Sequence, residues 1–311
     1  MKATSAPRPK MSEQLSVGSL LWGYRHVPRL MHLIRPTMVS MTWRLAGAWR
    51  DALRINGRII LGSEVSDERI DQYGLGVLLN MQRYMEGLVV ASRSTEEDLL
   101  ARIQSYQGIE QFKEVRRRHR GAVLISMHMG EFEPAAALIR RFDAPMHILY
   151  RRDHISRLER VRDLARKRLG VTAHAVDDGL VAWAGLRDAL DRNEVVAVHG
   201  DRVQPGQKGI RVELMGRMTQ IPVGPFKLAH ASGAPLVPVF NRHLPSGKLA
   251  LEIGEPLEID DRVVRSPEES STVKAWIEML TMHIRANPEQ WLNVHRVWES
   301  EDSISAEDEK K

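Results

Sequence analysis

The sequence contains no cysteine at any of its 311 positions. This absence excludes a disulfide framework, a thiolate metal site and a cysteine nucleophile. Four short motifs are also missing: the GxSxG of serine hydrolases, the HExxH of zinc proteases, the nucleotide-binding P-loop and the dinucleotide-binding GxGxxG. The histidines show no metal-ligand spacing, so we expect no metal and no bound cofactor. Aromatic residues make up only 5% of the chain, and with no nucleic-acid-binding module recognised we expect no nucleic acid partner.

The chain also lacks a long hydrophobic run. Residues 17–34 and 36–49 are partly apolar and contain three tryptophans, but arginines interrupt both stretches before about 18 apolar residues accumulate. Residues 1–60 carry ten Lys or Arg against two acidic residues. Apolar faces with tryptophan and arginine are typical of helices lying in a membrane surface. The alternative is that these helices pack on the protein core while their arginines reach water.

The net charge of +5 favours acidic partners, such as anionic lipid or an acidic protein. We predict three regions: N-terminal basic, tryptophan-containing interfacial helices (1–60), an α/β domain (61–298) and a disordered acidic tail (299–311). Residues 66–119 look helical, with a capping box at Ser94 and Glu97 opening a helix Thr95–Tyr106. Residues 270–297 look helical again, with a break at Asn287 and Pro288.

From residue 121 onward, apolar strand patterns alternate with helical ones. Predicted strands are Ala122–Met127, Met146–Arg151, Val171–Val176 and Glu194–His199, and predicted helices are Glu131–Arg141, Ile155–Leu169 and Leu180–Arg192. A further strand Arg211–Met215, a turn at 216–222, a helix Gly224–Ser232 and a strand pair Pro235–Arg242 and Lys248–Ile253 follow. This order predicts an α/β fold with a mixed, largely parallel central sheet flanked by helices and preceded by an N-terminal helical membrane-surface segment.

The stretch AVLISMHMGEFE (residues 122–133) places His128 where the first buried strand passes into a helix. Ligands of open α/β sheets bind at the carboxyl ends of the strands. Glu133 falls in the first helical turn, where its carboxylate could face the imidazole, fix its tautomer and stabilise its charged form. The alternatives are a packed or capping histidine and a capping-box glutamate. Pro134 supports this helix start, because proline is tolerated in the first turn.

Other predicted strand ends bring charged side chains to the same edge of the sheet. The second strand ends in Tyr150 and Arg151, and the fourth is followed by Asp201 and Arg202. Guanidinium groups suit phosphate oxygens. A base, arginines and a carboxylate around one crevice could therefore bind an anionic substrate and move a proton. Helix Ile155–Leu169 adds further arginines, which are either a solvated face or a docking surface for phospholipid headgroups or an acidic carrier protein.

Several segments together resemble a known family, the bacterial lipid A biosynthesis acyltransferases within the wider lysophospholipid and glycerol-phosphate acyltransferase group. That group is marked by a histidine followed, after four residues, by an acidic residue, as in His128 and Glu133. The segments that carry the resemblance are Tyr150-Arg151, Gly200-Asp201-Arg202, Gly216, Thr219 and Pro222, Lys227-Leu228-Ala229, Ser232–Phe240, and Asn287–Trp291 with His295-Arg296. The resemblance covers roughly residues 50–298. The chain departs from it at the N-terminus, which lacks a convincing transmembrane helix, and at Val212–Met215, where the family has a Phe- and Pro-rich block.

The resemblance implies an acyltransferase that moves a fatty acyl chain from an acyl thioester to a hydroxyl of an anionic lipid or glycolipid, of the lipid A type or related. Acyl carrier protein or coenzyme A would carry the acyl group as co-substrate, at the cytoplasmic face of the inner membrane. We expect His128 and Glu133 to be catalytic, with an oxyanion held by N–H groups near Met129 and Gly130.

The expected substrate-binding residues are Arg151, Asp201, Arg202, Gly130, Tyr150 and Thr219. Two other classes of function stay open: a thioester or ester hydrolase that uses the same His/Glu pair, and a non-catalytic membrane-surface protein.

Overall fold

A computed structural model describes residues 11–142, 144–204 and 207–299. Three N-terminal helices and one long helix precede the sheet: α1 (Met11–His26), α2 (Pro28–Leu45), α3 (Gly47–Leu61) and α4 (Asp67–Ala91). The elements up to the fifth strand are α5 (Glu96–Leu100), β1 (Ile103–Gln107), α6 (Ile109–Arg117), β2 (Ala122–Ser126), α7 (Phe132–Arg140), β3 (Met146–Tyr150), α8 (Ser156–Arg168), β4 (Thr172–Ala175), α9 (Leu180–Asp191) and β5 (Val195–His199). The remaining ones are β6 (Gly209–Leu214), β7 (Arg217–Pro222), α10 (Gly224–Ser232), β8 (Leu236–His243), β9 (Leu249–Ile253), α11 (Arg262–Arg265) and α12 (Ser271–Ala286).

Seven strands form one sheet in the order β1-β9-β8-β2-β5-β3-β4. Every neighbouring pair is parallel except the hairpin β8–β9, which is antiparallel. The central strands are almost wholly buried, as the apolar runs of the sequence predicted, because helices cover both faces of a parallel sheet. The predicted α/β class and largely parallel sheet are confirmed.

Four local predictions were wrong. Residues 103–107 form the edge strand β1 instead of the end of a helix; its polar sequence IQSYQ leaves most of the strand exposed and hid its pattern. The capping box lies at Thr95 and Asp98, one position later than predicted. Residues 217–222 form β7 in a hairpin with β6, not a turn. Residues 291–297 contain no helix, although a helix was expected there.

Two clusters of buried side chains lie on opposite faces of the sheet. One face is covered by α6, α7 and α8, together with α1 and the second half of α4. The other is covered by α9, α10 and α12, with α3, the first half of α4 and the β6–β7 hairpin. Helix α4 therefore contributes side chains to both layers.

None of the described helices is long and apolar enough to cross a membrane. Helices α1, α2 and α3 all pack against α4. The predicted acidic tail lies outside the described residues except for Glu299, which accepts a hydrogen bond from Arg211 Nε at 3.0 Å.

Candidate functional site

Strand order decides which side chains meet at the carboxyl edge of the sheet. Strands β2 and β5 are parallel neighbours, and their last residues, Ser126 and His199, are paired in register. His128 and Asp201 each follow two residues after these paired positions. The register therefore brings together two residues that are 73 positions apart in the sequence.

The imidazole of His128 is bound to the carboxylate of Asp201. Nδ1 of His128 lies 2.8 Å from Asp201 Oδ1, and the backbone N–H of His128 donates to Oδ2 at 3.1 Å. Trp291 Nε1 donates to the same Oδ2 at 2.8 Å. Because an ionised carboxylate only accepts hydrogen bonds, Nδ1 carries the proton in this arrangement and Nε2 keeps its lone pair.

The carboxylate is fully buried, whereas the imidazole is 25% exposed. Burial alone would raise the pKa of Asp201, but the charge and hydrogen bond of His128 outweigh burial and hold that pKa well below its usual range. Asp201 is therefore a permanent anion behind a ring that reaches the cavity, which is the arrangement a general base requires.

Glu133 lies in the predicted helical turn but does not contact His128. It is the second residue of α7, as expected, and it lines the same cavity as His128. Among the described residues, however, no hydrogen bond joins Glu133 to His128, and its buried Oε2 has no partner. Burial raises the pKa of Glu133, against the opposing effects of its own backbone N–H and Arg162. The orienting contact predicted for Glu133 is made by Asp201, and a catalytic role for Glu133 stays a prediction.

The turn between β2 and α7 depends on Gly130. Its φ is +67°, and a Cβ at this position would lie 1.8 Å from Asn241 Oδ1. Asn241 Oδ1 also accepts the N–H of Glu131 at 2.6 Å, and Met129 N–H donates to Met127 O at 2.7 Å. Of the two N–H groups predicted to hold an oxyanion, that of Met129 is therefore engaged within the turn, and an oxyanion role for Gly130 N–H stays a prediction.

His128 opens into a large cavity of about 1380 Å³ at the carboxyl edge of the sheet. Apolar side chains from both layers line it: Met81, Tyr84, Met85, Phe132, Ile148, Leu158, Leu180, Trp183, Val223 and Leu228. This volume exceeds the roughly 300–1,000 Å³ typical of small-molecule pockets. The space fits a ligand with a long apolar part.

The lining is also strongly basic. Its charged residues are Arg151, Arg152, Arg162, Arg166, Arg187, Arg202, Lys208 and Lys227 against the acids Glu133 and Asp153. Some of the arginines are neutralised nearby, as in the bidentate pair of Arg152 with Asp178 at 2.8 Å. In the part of the chain that the structure describes, Arg151, Lys208 and Lys227 form no ion pair. The cavity therefore combines an apolar volume with free cations, which suits an anionic lipid.

The structure brings most of the predicted site residues together. Arg151, Arg202 and Tyr150 line the cavity; Arg166 covers the Tyr150 ring at 3.9 Å, and Arg202 Nη1 reaches Asn293 Oδ1 at 3.4 Å. Thr219 is different: it lies in β7, outside the cavity lining, and its hydroxyl donates to Val297 O at 2.6 Å. Substrate binding by Thr219 stays a prediction without geometric support.

Two parts of the site were missed from the sequence. Trp291 carried the resemblance, but nothing in its surroundings indicated that its indole binds Asp201. The C-terminal segment also holds the turn that carries His128, since Leu292 N–H donates to His128 O at 2.8 Å and Met129 forms a bridge with Trp291. Among the described residues, no group of three His, Asp or Glu side chains is arranged to hold a metal ion.

Comparison with known proteins supports one family. A search of curated proteins finds no match. The family described as bacterial lipid A biosynthesis acyltransferase matches residues 18–300, a span that includes His128, Asp201 and Trp291 and nearly the whole described fold. The chain therefore belongs to the bacterial lipid A biosynthesis acyltransferase family and is an acyltransferase.

Proposed function

We propose that this acyltransferase moves a fatty acyl chain from an acyl thioester to a hydroxyl of an anionic lipid or glycolipid, of the lipid A type or related. Acyl carrier protein or coenzyme A would carry the acyl group. The observation that carries the proposal is the imidazole of His128, tied through Nδ1 to a buried carboxylate and facing a cavity with apolar walls and free cations. Reaction centre, acyl space and anion-binding groups then share one cavity.

In the proposed reaction, Nε2 of His128 takes the proton of the acceptor hydroxyl while the oxygen attacks the thioester carbonyl. The tetrahedral intermediate collapses, the carbon–sulfur bond breaks, and the departing thiolate receives the proton from His128. Asp201 holds the imidazole in the required tautomer and stabilises its positive charge. General-base catalysis of this kind contributes about 10²–10⁴-fold.

The negative charge of the intermediate needs a donor near His128. Gly130 N–H, two residues further along the turn, is our candidate. Arg151 would bind a phosphate of the acceptor, with Lys208 and Lys227 of the cavity lining as further cations. This assignment accounts for the excess of basic residues in the lining.

We also propose that the protein works at the cytoplasmic face of the inner membrane as a peripheral protein. Helices α1 and α2 leave large apolar side chains in solvent: Leu15, Trp22, Leu30, Leu33, Met41 and Leu45. Leu33 and Leu45 are 77% and 78% exposed, far more than packing on a core would leave. Arginines of the same helices, such as Arg29 and Arg44, can contact anionic headgroups.

The test is acyl transfer to a total membrane lipid extract, read by mass spectrometry. Labelled acyl carrier protein and labelled acyl coenzyme A are offered in parallel, with His128→Ala as the inactive variant and His230→Ala, outside the cavity lining, as the matched control. A new acylated lipid that depends on His128 supports the proposal and identifies donor and acceptor. Full activity of His128→Ala refutes the assignment of the base. Labelled free fatty acid without acceptor dependence supports the hydrolase instead.

A further inference from the structure

A second histidine ring lies flat against the catalytic one. The rings of His128 and His199 are 4.1 Å apart between centroids and 20° from parallel. His199 is the last residue of β5, and the register with Ser126 at the end of β2 places its side chain beside the turn that carries His128. The His199 ring is accessible from the cavity that it lines, although the protein atoms around that cavity desolvate its imidazole.

The stacking restricts rotation of the His128 ring, which the hydrogen bond to Asp201 alone does not. One in-plane bond at Nδ1 fixes the distance between ring and carboxylate, yet the ring can still rotate about that bond. Such a rotation would swing Nε2 away from the substrate without breaking the contact to Asp201. A parallel ring packed against one face of His128 blocks this rotation, because turning would drive the two rings into each other.

The charges around the two rings favour the neutral form of His199. The charged and titratable groups facing His199 are His128 at the end of β2 and Asp201 and Arg202 just after β5. Burial within the cavity wall, followed by the charge of His128, lowers the pKa of His199. A neutral ring presents its electron-rich face to the imidazolium that forms on His128, whereas a protonated one would repel it.

We propose that His199 is a positioning residue for the general base: its neutral ring, stacked on His128, holds Nε2 towards the substrate and supports the positive charge formed during transfer. This inference rests on the proposed function of His128. It assigns a role to a residue that does not belong to the His-to-Glu motif and that makes no in-plane contact with His128.

The kinetic test compares His199→Ala with His199→Phe, which keeps a flat ring but cannot titrate. For Ala we expect kcat to fall about tenfold, within the range that positioning effects reach, with KM nearly unchanged. Phe should recover most of the loss, and His230→Ala should match the wild type. Wild-type kcat in His199→Ala, or an equal loss in Phe and Ala, would overturn the proposal. Thermal unfolding of each variant identifies a loss due to misfolding.

A second readout does not depend on turnover. Nitrogen-15 spectra of labelled histidine report the tautomer and ring environment of His128, with its signal identified by its absence in His128→Ala. In His199→Ala we expect exchange broadening or a mixture of tautomers, and in His199→Phe one dominant Nδ1–H tautomer. An unchanged His128 signal in His199→Ala refutes the positioning role. Activity that survives in His128→Ala would instead refute the proposed base, whatever the spectra show.

Discussion

Replacing Asp201 with asparagine should inactivate the enzyme through the tautomer of His128. Two N–H donors, from Trp291 and the His128 backbone, point at Oδ2 at 2.8 and 3.1 Å. An asparagine must place its carbonyl oxygen there to satisfy both, so its NH₂ group takes the place of Oδ1 beside the imidazole. Nδ1 of His128 must then accept a hydrogen bond, and the proton moves to Nε2. The lone pair needed for catalysis is lost while the fold is kept.

The expected loss in kcat is about 10⁴-fold, the effect of the equivalent wrong tautomer in a catalytic triad. At 1.36 kcal/mol per factor of ten, this corresponds to about 5 kcal/mol of transition-state stabilisation. Asp201→Ala provides the discriminating comparison, since it imposes no tautomer on His128. It leaves two buried donors unpaired, which should cost about 1–3 kcal/mol of unfolding free energy for each of them. Per folded molecule, however, it should be at least as active as Asp201→Asn.

The assay is steady-state acyl transfer with each variant, combined with urea unfolding to count folded protein. Asp188→Asn, an exposed carboxylate outside the cavity lining, is the matched control for a lost carboxylate. An Asp201→Asn enzyme within a few-fold of wild-type kcat would refute the assignment of Asp201. An alanine variant far less active per folded molecule than the asparagine variant would refute the tautomer argument itself.

Three further predictions concern the turn, the buried acid and the membrane surface. Gly130→Ala should destabilise the protein by at least about 1–2 kcal/mol, because position 130 has a positive φ. It should also abolish acyl transfer, because the new Cβ would collide with Asn241. An unchanged Tm would contradict this prediction. Burial raises the pKa of Glu133 above 4.5, so the folded state holds that proton more tightly than the unfolded chain. The unfolding free energy of the wild type should therefore fall as the pH rises from 4.5 to the raised pKa of Glu133 in the folded state. The unfolding free energy of Glu133→Gln should fall less over the same range. Urea titrations of both proteins at about pH 4 and about pH 8 check this, and an equal pH dependence would refute it. Trp22→Ser should bind anionic vesicles about tenfold more weakly than the wild type in sedimentation assays. Val264→Ser, on α11, is the control. Equal binding by Trp22→Ser and the wild type would exclude α1 from the membrane interface.

The sheet could be predicted because its strands are short buried apolar runs that alternate with helical patterns. Helix Gly224–Ser232 and strand Ala122–Ser126 match their predicted positions to within a residue or so. The polar edge strand β1 could not be recognised in the same way, since pairing through the backbone alone leaves no apolar pattern. Hydrophobic periodicity in a sequence arises from burial of one face, so a strand that is exposed shows no such pattern.

The sequence allowed us to predict which residues lie at the site, but not which of them contact one another. The positions of His128, Arg151 and Asp201 at strand ends followed from the alternation of strands and helices. The hydrogen-bond partner of His128 could not be predicted in this way, because it depends on β5 lying beside β2 in the sheet. Proximity in the sequence favoured Glu133 instead. The role of Trp291 was beyond prediction for the same reason: 90 residues separate it from the carboxylate that it binds.

The dependence of the site on Trp291 and Leu292 also sets a time order during synthesis. A ribosome makes His128 and Asp201 well before these two residues, and at about 5–20 residues per second the 90-residue interval from Asp201 to Trp291 takes about 5–20 s. The sheet itself is completed only once β8 and β9 have been made, and until Trp291 and Leu292 follow, the carboxylate lacks its indole donor and the turn at His128 lacks its backbone clamp. The enzyme should therefore become competent only when the segment around Trp291 docks on the sheet, late in its synthesis.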